Sequence, residues 1–373
     1  MNRDGEAAKS PSRTAEEVPD PSDCSIVIPT FNRPRYLARL LQYYDATGAS
    51  LPVIVADSSP DDVKRINEES IAACRNLDVV HRALYAPSLN PFNKIIDAVA
   101  SVATRFVVCC ADDDFLIPPG MQAATAFLSS HPGYHAAQGA FVGFRHAEGA
   151  AGEIEFIRGS MYPASPIDDA RAEARLLRHM GAYTPTIYAV HETPFIRQIH
   201  AYTVESGVIP ASGRDPFLYS ELYPSMLTVI YSRFGSLPLL YGARDMNSVS
   251  QYEYGSELDV AQKTALSSER YVLFRSSLAA HLGAVAGIDR EEALFVVDRA
   301  MEKYRAAQLV RARRTGILAR STRAARSVFL QNRTGNRLRQ WYRERWYLDS
   351  PPSDSWESRE YSRIREAILR NSG

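Results

Sequence analysis

The chain has 373 residues, room for one large or two modest domains, and its 45% apolar share is ordinary for a globular protein. A formal net charge of zero removes any global pull toward nucleic acid, and Cys24, Cys74, Cys109 and Cys110 follow no zinc-binding spacing. No run reaches the roughly 18 to 20 apolar residues that span a bilayer, and the opening residues carry no apolar signal region, so a reducing, cytoplasmic setting is expected.

Residues 1–22 are rich in Ser, Pro, Glu and Ala, lack periodicity, and read as a disordered leader. Ser25-Ile26-Val27-Ile28 reads as a short buried strand, and Pro34 opens a helix to Asp45 with Asn32 near its N-cap. Pro52–Ala56 is a second strand. The helix after it has Ser59 as cap, Pro60 at its first position, and Asp61 and Asp62 in its first turn. Leu77–His81 follows as a strand, Asn93–Ala103 as a helix, Phe106–Ala111 as a fourth strand, and a helix runs from about Gly120 to Ser130. This alternation predicts parallel strands with right-handed crossovers, and ligands of such sheets lie beyond the carboxyl ends of the strands. Pro29–Arg33, Asp57 and Asp112–Asp114 all stand at such ends.

Past Tyr134 the alternation weakens. Ala136–Arg145 and Glu153–Arg158 read as strands about a Gly149–Gly152 turn, Asp168–His179 as a helix, and Thr186–Val190 as a strand ending at His191, read as a surface or cap residue. Phe217–Arg233 reads as a long helix and Leu237–Tyr241 as a last strand before Arg244-Asp245. Helices follow over roughly 257–285 and 289–310. The organisation expected is a leader over 1–22, an α/β domain over 23–250 and a helical C-terminal extension over 251–373. Residues 311–345 carry eleven Arg, no Lys and one acid, Glu344, interleaved with Ile317, Leu318, Val328, Phe329, Leu330, Leu338, Trp341 and Trp346 just beyond. Two readings stand: a basic amphipathic helix against an anionic leaflet, or a helix packing its apolar side inward with a solvated Arg face.

The chemistry concentrates at Asp112-Asp113-Asp114, which closes the apolar run Phe106–Ala111. Three like charges there repel unless a cation joins them. In an extended segment alternate side chains face one way, which brings Asp112 and Asp114 to one cation. Hard oxygen ligands suit Mg²⁺ or Mn²⁺, usually completed by a substrate's phosphate oxygens. The bland alternative is a solvated turn, or a cap for the helix that Pro118-Pro119 announces.

Taken together, these pieces resemble the family 2 type of nucleotide-sugar glycosyltransferase, in its bacterial branch with an Asp-rich motif and a helical tail. The resemblance spans about residues 24–250. It rests on Ser25–Pro34 with its Pro-Thr-aromatic-Asn-Arg loop, on Val53–Ser59, on Asn93-Lys94 ahead of the acidic strand, and on the Asp-x-Asp pattern of Asp112–Asp114. It implies a GT-A fold: α/β, Rossmann-like, with a mostly parallel sheet and a C-terminal helical extension. Implied nucleotide contacts are Pro29, Thr30, Asn32, Arg33, Asp57, Lys94, Asp112 and Arg244, and implied metal ligands are Asp112 and Asp114, with Mn²⁺ or Mg²⁺ as cofactor. Asp57 has a structural alternative, an Asx turn into Ser59-Pro60. An inverting transfer needs a base for the acceptor hydroxyl. Glu221, in an otherwise apolar helix, is favoured over Asp215, which reads better as a cap before Pro216.

The implied activity is metal-dependent inverting transfer from a nucleotide-sugar donor, a UDP-sugar being the commonest, to a saccharide or lipid-linked hydroxyl acceptor in bacterial surface glycan or glycolipid synthesis. The setting would be cytoplasmic or peripheral on the inner face of the plasma membrane. The Gln-x-x-Arg-Trp motif of processive synthases is not found in the sequence, which points to single additions. Two alternatives remain: a non-catalytic scaffold at a membrane, and a nucleotidylyltransferase, which would want a Gly-rich loop where Pro29–Arg33 stands.

Overall fold

A computed structural model describes residues 23–48, 50–146, 154–157, 166–210, 218–246, 269–329 and 355–371, with 311–329 described as helix backbone. The leader, the Gly149–Gly152 turn, Asp215 and residues 330–345 of the Arg-rich segment lie outside them.

Among the described residues, nine strands form one sheet. They are β1 (Cys24–Thr30), β2 (Pro52–Asp57), β3 (Asp78–Arg82), β4 (Phe106–Cys109), β5 (Phe115–Leu116), β6 (Tyr134–His146), β7 (Ile154–Ile157), β8 (Val190–Glu192) and β9 (Arg233–Asp245). Their order is β3-β2-β1-β4-β8-β6-β9-β5, with β7 beside β6. β1, β2, β3 and β4 pair in parallel, as do β6 and β9. The short β8 runs antiparallel to both β4 and β6, so the long strands still point one way, and β5 and β7 are also reversed. The expected class is therefore the class found: α/β, with a mostly parallel sheet and helices at the C-terminal end.

The helices are α1 (Pro34–Thr47), α2 (Asp61–Ala72), α3 (Pro91–Ala100), α4 (Pro118–Ser130), α5 (Ala172–Gly181), α6 (Thr193–Glu205), α7 (Leu218–Tyr231), α8 (Glu269–Ala286), α9 (Arg290–Phe329) and α10 (Trp356–Arg370). Pleating sends alternate strand residues to two cores. Val27, Ile54, Val107 and Cys109 face one core with Leu176, Tyr223, Phe274, Leu278, Val297 and Met301. Ile26, Ile28, Val53, Val55, Phe106 and Val108 face the other with Leu37, Tyr43, Leu128, Ile364 and Ile368. The C-terminal helices are thus divided between the sheet's two faces, α8 and α9 on one and α10 on the other. Tyr43 of α1 donates to the buried Glu360 of α10 at 2.6 Å. Among the described residues, no single helix is long and apolar enough to cross a membrane.

Several local expectations are corrected. Ser59 does not cap α2; Pro60 holds that place, and the Ser59 hydroxyl accepts from the Asn32 N–H at 2.8 Å. Asn32 takes a left-handed φ of 54°, and Arg33, not Asn32, stands at the N-cap of α1. The strand expected over 186–190 is a 3₁₀ turn, Thr186–Tyr188, followed by β8, and the unforeseen α6 starts at Thr193-Pro194. A five-residue apolar run does not separate these outcomes by periodicity. The strand expected over 237–241 runs from Arg233 to Asp245. Gly235 and Gly242 look like strand breakers, yet a Cβ at the first would strike the Phe127 ring and at the second the Phe141 ring.

Candidate functional site

The register places Thr30 opposite Asp57, and Cys110 donates its N–H to the Val27 carbonyl at 2.9 Å, so β1, β2 and β4 deliver their carboxyl ends to one place. The β4 ladder stops at Cys109. Asp112–Asp114 then form a turn, closed by the Asp114 N–H on the Ala111 carbonyl at 3.1 Å. This corrects the extended-segment argument: a turn does not alternate its side chains. Asp112 accepts from Thr30 Oγ1 at 2.8 Å on one oxygen and from Arg33 Nη1 at 2.9 Å on the other. Arg33 Nη2 reaches Asp113 Oδ2 at 2.9 Å. Asp114 points toward the end of β9, where the Asp245 N–H donates to Oδ1 at 3.1 Å and Arg244 Nε lies 3.8 Å from Oδ2.

Asp112 and Asp114 are 3% and 2% exposed. Burial pushes Asp112 up to about 6, with Arg33 pulling down and Asp113 pushing up. Burial pushes Asp114 up to about 7, with Asp113 adding to the rise and Arg244 opposing it. Among the described residues, no group of three or more His, Cys, Asp or Glu is arranged to hold a metal alone.

Asp57 is fully buried, and its carboxylate serves the fold. Oδ1 accepts from the Ser59 N–H at 2.8 Å, and Oδ2 from Asn67 Nδ2 at 2.7 Å, with His81 Nε2 at 3.1 Å. Burial is outweighed by these bonds, led by His81, and its pKa lies well below the usual carboxylate range. The Asx-turn alternative is the geometry found, and the expected contact with a base has no exposed oxygen to make it. Lys94 lies buried in the first turn of α3, which Asn90 caps by accepting from Phe92 N at 2.9 Å. Its Nζ donates to the Thr30 carbonyl at 2.6 Å and to Ser58 Oγ at 2.9 Å, tying the ends of β1 and β2. Burial lowers it to about 8, against the pull of Asp112 and Asp57.

Sequence reasoning missed Arg39, which is buried on α1. It donates to Asp245 Oδ2 at 3.0 Å and to the Asp113 carbonyl at 2.6 Å, and its guanidinium lies over the Phe115 and Phe144 rings. It holds the acidic turn to the end of β9. An Arg on an amphipathic helix carries no sequence signal for such a task.

Glu221 stands in the first turn of α7, and Tyr183 Oη donates to its Oε1 at 2.7 Å. Burial raises its pKa, opposed by that bond. Tyr188, also missed, links the two regions. Its ring lies 5.6 Å from the Arg244 guanidinium, and after burial its ionisation is opposed by the fields of Asp114, Asp113 and Glu221. Behind Glu221, a cavity of about 30 Å³ is lined by Val107, Ile196, His191 and His200. His191 is buried, with Nε2 2.8 Å from the Thr186 carbonyl, which corrects its reading as a surface or cap residue.

No protein-family model matches the sequence, and no curated protein matches it. Similar solved structures include S. aureus TarS 1-349 in complex with UDP-GlcNAc, 15% identical over 79% of this chain and 92% of that chain, with a TM-score of 0.44. They also include the mannosyltransferase PcManGT from Pyrobaculum calidifontis in complex with GDP-Man and Mn²⁺, 12% identical over 96% and 90%, with a TM-score of 0.39. Glucosyl-3-phosphoglycerate synthase from Mycobacterium tuberculosis in complex with Mn²⁺, UDP and glucosyl-3-phosphoglycerate is 15% identical over 76% and 88%, with a TM-score of 0.37.

Proposed function

We propose that the protein is a metal-dependent inverting glycosyltransferase that moves a sugar from a nucleotide-diphosphate donor to a hydroxyl acceptor in bacterial surface glycan or glycolipid synthesis. The observation that carries this reading is the pair of buried carboxylates at the strand ends, Asp112 and Asp114, which burial pushes up to about 6 and 7. Burying two carboxylates is costly unless the site gains a cation. A pair of hard oxygens fits Mg²⁺ or Mn²⁺ when a ligand's phosphates and water supply the other positions. When bound, the ion neutralises charge building on the departing diphosphate.

Asp114 is the principal ligand in this reading, with Asp112 beside it. Arg33 and Arg244 flank the acidic turn, so phosphate oxygens bound there would come within reach of both guanidinium groups. Pro29, Thr30 and Asn32 shape the loop above β1, Lys94 holds that loop to the end of β2, and Asp57 acts as a positioning residue by fixing Ser59, which accepts from the Asn32 N–H. Tyr183 fixes Glu221 Oε1, leaving Oε2 to take the acceptor hydroxyl's proton.

The test is thermal stabilisation by a panel of nucleoside diphosphates and nucleotide sugars, with and without Mn²⁺. Metal-dependent stabilisation by one base is expected, since a ligand of the native state raises stability by mass action. A folded protein that responds to no member would sink the reading.

A peripheral contact with an anionic leaflet is part of the proposal. Leu309 and Val310 of α9 are exposed, directly ahead of the Arg run. Changing Arg311, Arg313, Arg314, Arg320, Arg323 and Arg326 to Gln is expected to abolish salt-sensitive binding to anionic liposomes. Truncation at residue 310 is the poorer experiment, because it also removes α10 from the core. Unchanged liposome binding by the six-fold variant would reject the contact.

A further inference from the structure

We propose that Arg33 is a built-in counter-ion: its guanidinium holds the Asp112 and Asp113 carboxylates when no cation is bound and yields Asp112 to the divalent ion on binding. This inference rests on the reading of the turn as a cation site. Two guanidinium nitrogens are spent on two carboxylates, Nη1 on Asp112 Oδ1 and Nη2 on Asp113 Oδ2, each at 2.9 Å. Thr30 Oγ1 takes the other Asp112 oxygen at 2.8 Å. Asp112 therefore has both oxygens engaged while Arg33 is in place. A metal–oxygen bond is only about 2.0–2.2 Å long, so an ion on Asp112 Oδ1 would stand against the guanidinium with like charge and no room between them.

Arg33 and Arg39 differ in their freedom to move. Arg39 has a side chain 5% exposed, set between aromatic rings and bonded to Asp245 and the Asp113 carbonyl. The Arg33 side chain is 19% exposed and starts from a loop, after the left-handed Asn32, with non-helical φ −137° and ψ 54°. Its guanidinium lies 4.3 Å from the Tyr36 ring centroid. That ring is a pivot on which the charge can turn from the carboxylates to an arriving diphosphate, keeping its cation–π contact. The exchange leaves Asp112 compensated in both states. Without a cation Arg33 lies on Asp112 and Asp113; with one, the ion would take Asp112 beside Asp114 and Arg33 would turn to the phosphates.

The experiment compares the wild type with Arg33→Gln and Arg33→Lys in the full chain. One measurement is Mn²⁺ affinity without nucleotide, from the electron paramagnetic resonance signal of free Mn²⁺. The other is nucleoside diphosphate affinity at saturating Mn²⁺. Arg33→Gln is expected to bind Mn²⁺ alone about tenfold more tightly, because no charge-assisted bond must be broken first, and to bind the diphosphate about tenfold more weakly. Arg33→Lys keeps the charge without the fork and is expected to fall between. The opposite signs are the signature, since a variant that merely misfolds weakens both. Equal or weaker Mn²⁺ binding by Arg33→Gln overturns the exchange while leaving the cation site standing. No Mn²⁺ binding by any of the three proteins, with the nucleoside diphosphate present as well as without it, overturns the cation-site reading, and the exchange with it.

Discussion

Asp114→Asn is expected to lower sugar transfer at least about a thousandfold, roughly 4 kcal/mol of transition-state stabilisation. In the cation-free protein, the same change is expected to raise the melting temperature at pH 8. Both effects have one cause. Asp114 is 2% exposed, and burial pushes it up to about 7 from an ordinary 3.8. A carboxyl whose folded value is raised favours the folded state while it is protonated. That contribution is complete below about pH 4 and is lost as pH rises through about 7. The ionised group then costs on the order of 2–4 kcal/mol. Asn removes the charge and still accepts from the Asp245 N–H, which now meets Asp114 Oδ1 at 3.1 Å. A gain of several degrees is expected at pH 8 in the presence of a chelator, shrinking toward nothing near pH 4. Stability would thus rise where function is lost, as for other strained sites. Melting curves at the two pH values check the first half, and turnover with Mn²⁺ checks the second. Equal melting temperatures at pH 8 would show that Asp114 is compensated without a metal.

Glu221→Gln is expected to lower kcat by about 10²–10⁴ and to leave donor binding unchanged, the pattern of a lost general base. The substitution spares the fold, because Gln presents the same oxygen to Tyr183 Oη, 2.7 Å away in the native protein. Burial raises the pKa of Glu221, and protonated Glu221 accepts no proton. The acid limb of kcat/KM is therefore expected above the ordinary carboxylate range, with activity falling as pH drops through it. Tyr183→Phe removes the bond that opposes the rise, so the limb should move to higher pH. Asp215→Asn decides between the two candidates. If it abolishes transfer while Glu221→Gln does not, the base belongs to the 211–217 segment.

Much of the sheet's first half was legible because its signals are local. Apolar runs closed by Pro29–Arg33, Asp57 and Asp112–Asp114 mark strand ends, and the order of strands and helices implies that these ends meet. The burial of Glu221 followed in the same way, from an acid set in an apolar helix. The second half was less legible, because β8 is three residues long and β9 contains Gly235, Pro238 and Gly242. The two glycines suit a strand only where Phe127 and Phe141 fill the missing side-chain space.

By itself, the sequence determined which residue types gather at the carboxyl edge of the sheet, since hydrophobic periodicity and turn chemistry act over a few residues. Only the tertiary structure decided what those residues do to one another. Asp57 turns inward because Asn67 and His81 arrive from α2 and β3. The acidic turn is held because Arg39 and Asp245, 206 positions apart, meet across it at 3.0 Å. Arg33 lies on Asp112 and Asp113 because the β1 loop and the end of β4 are neighbours in the sheet. Charge, burial and hydrogen bonding depend on distance in space, and chain spacing does not encode that distance once the chain has folded.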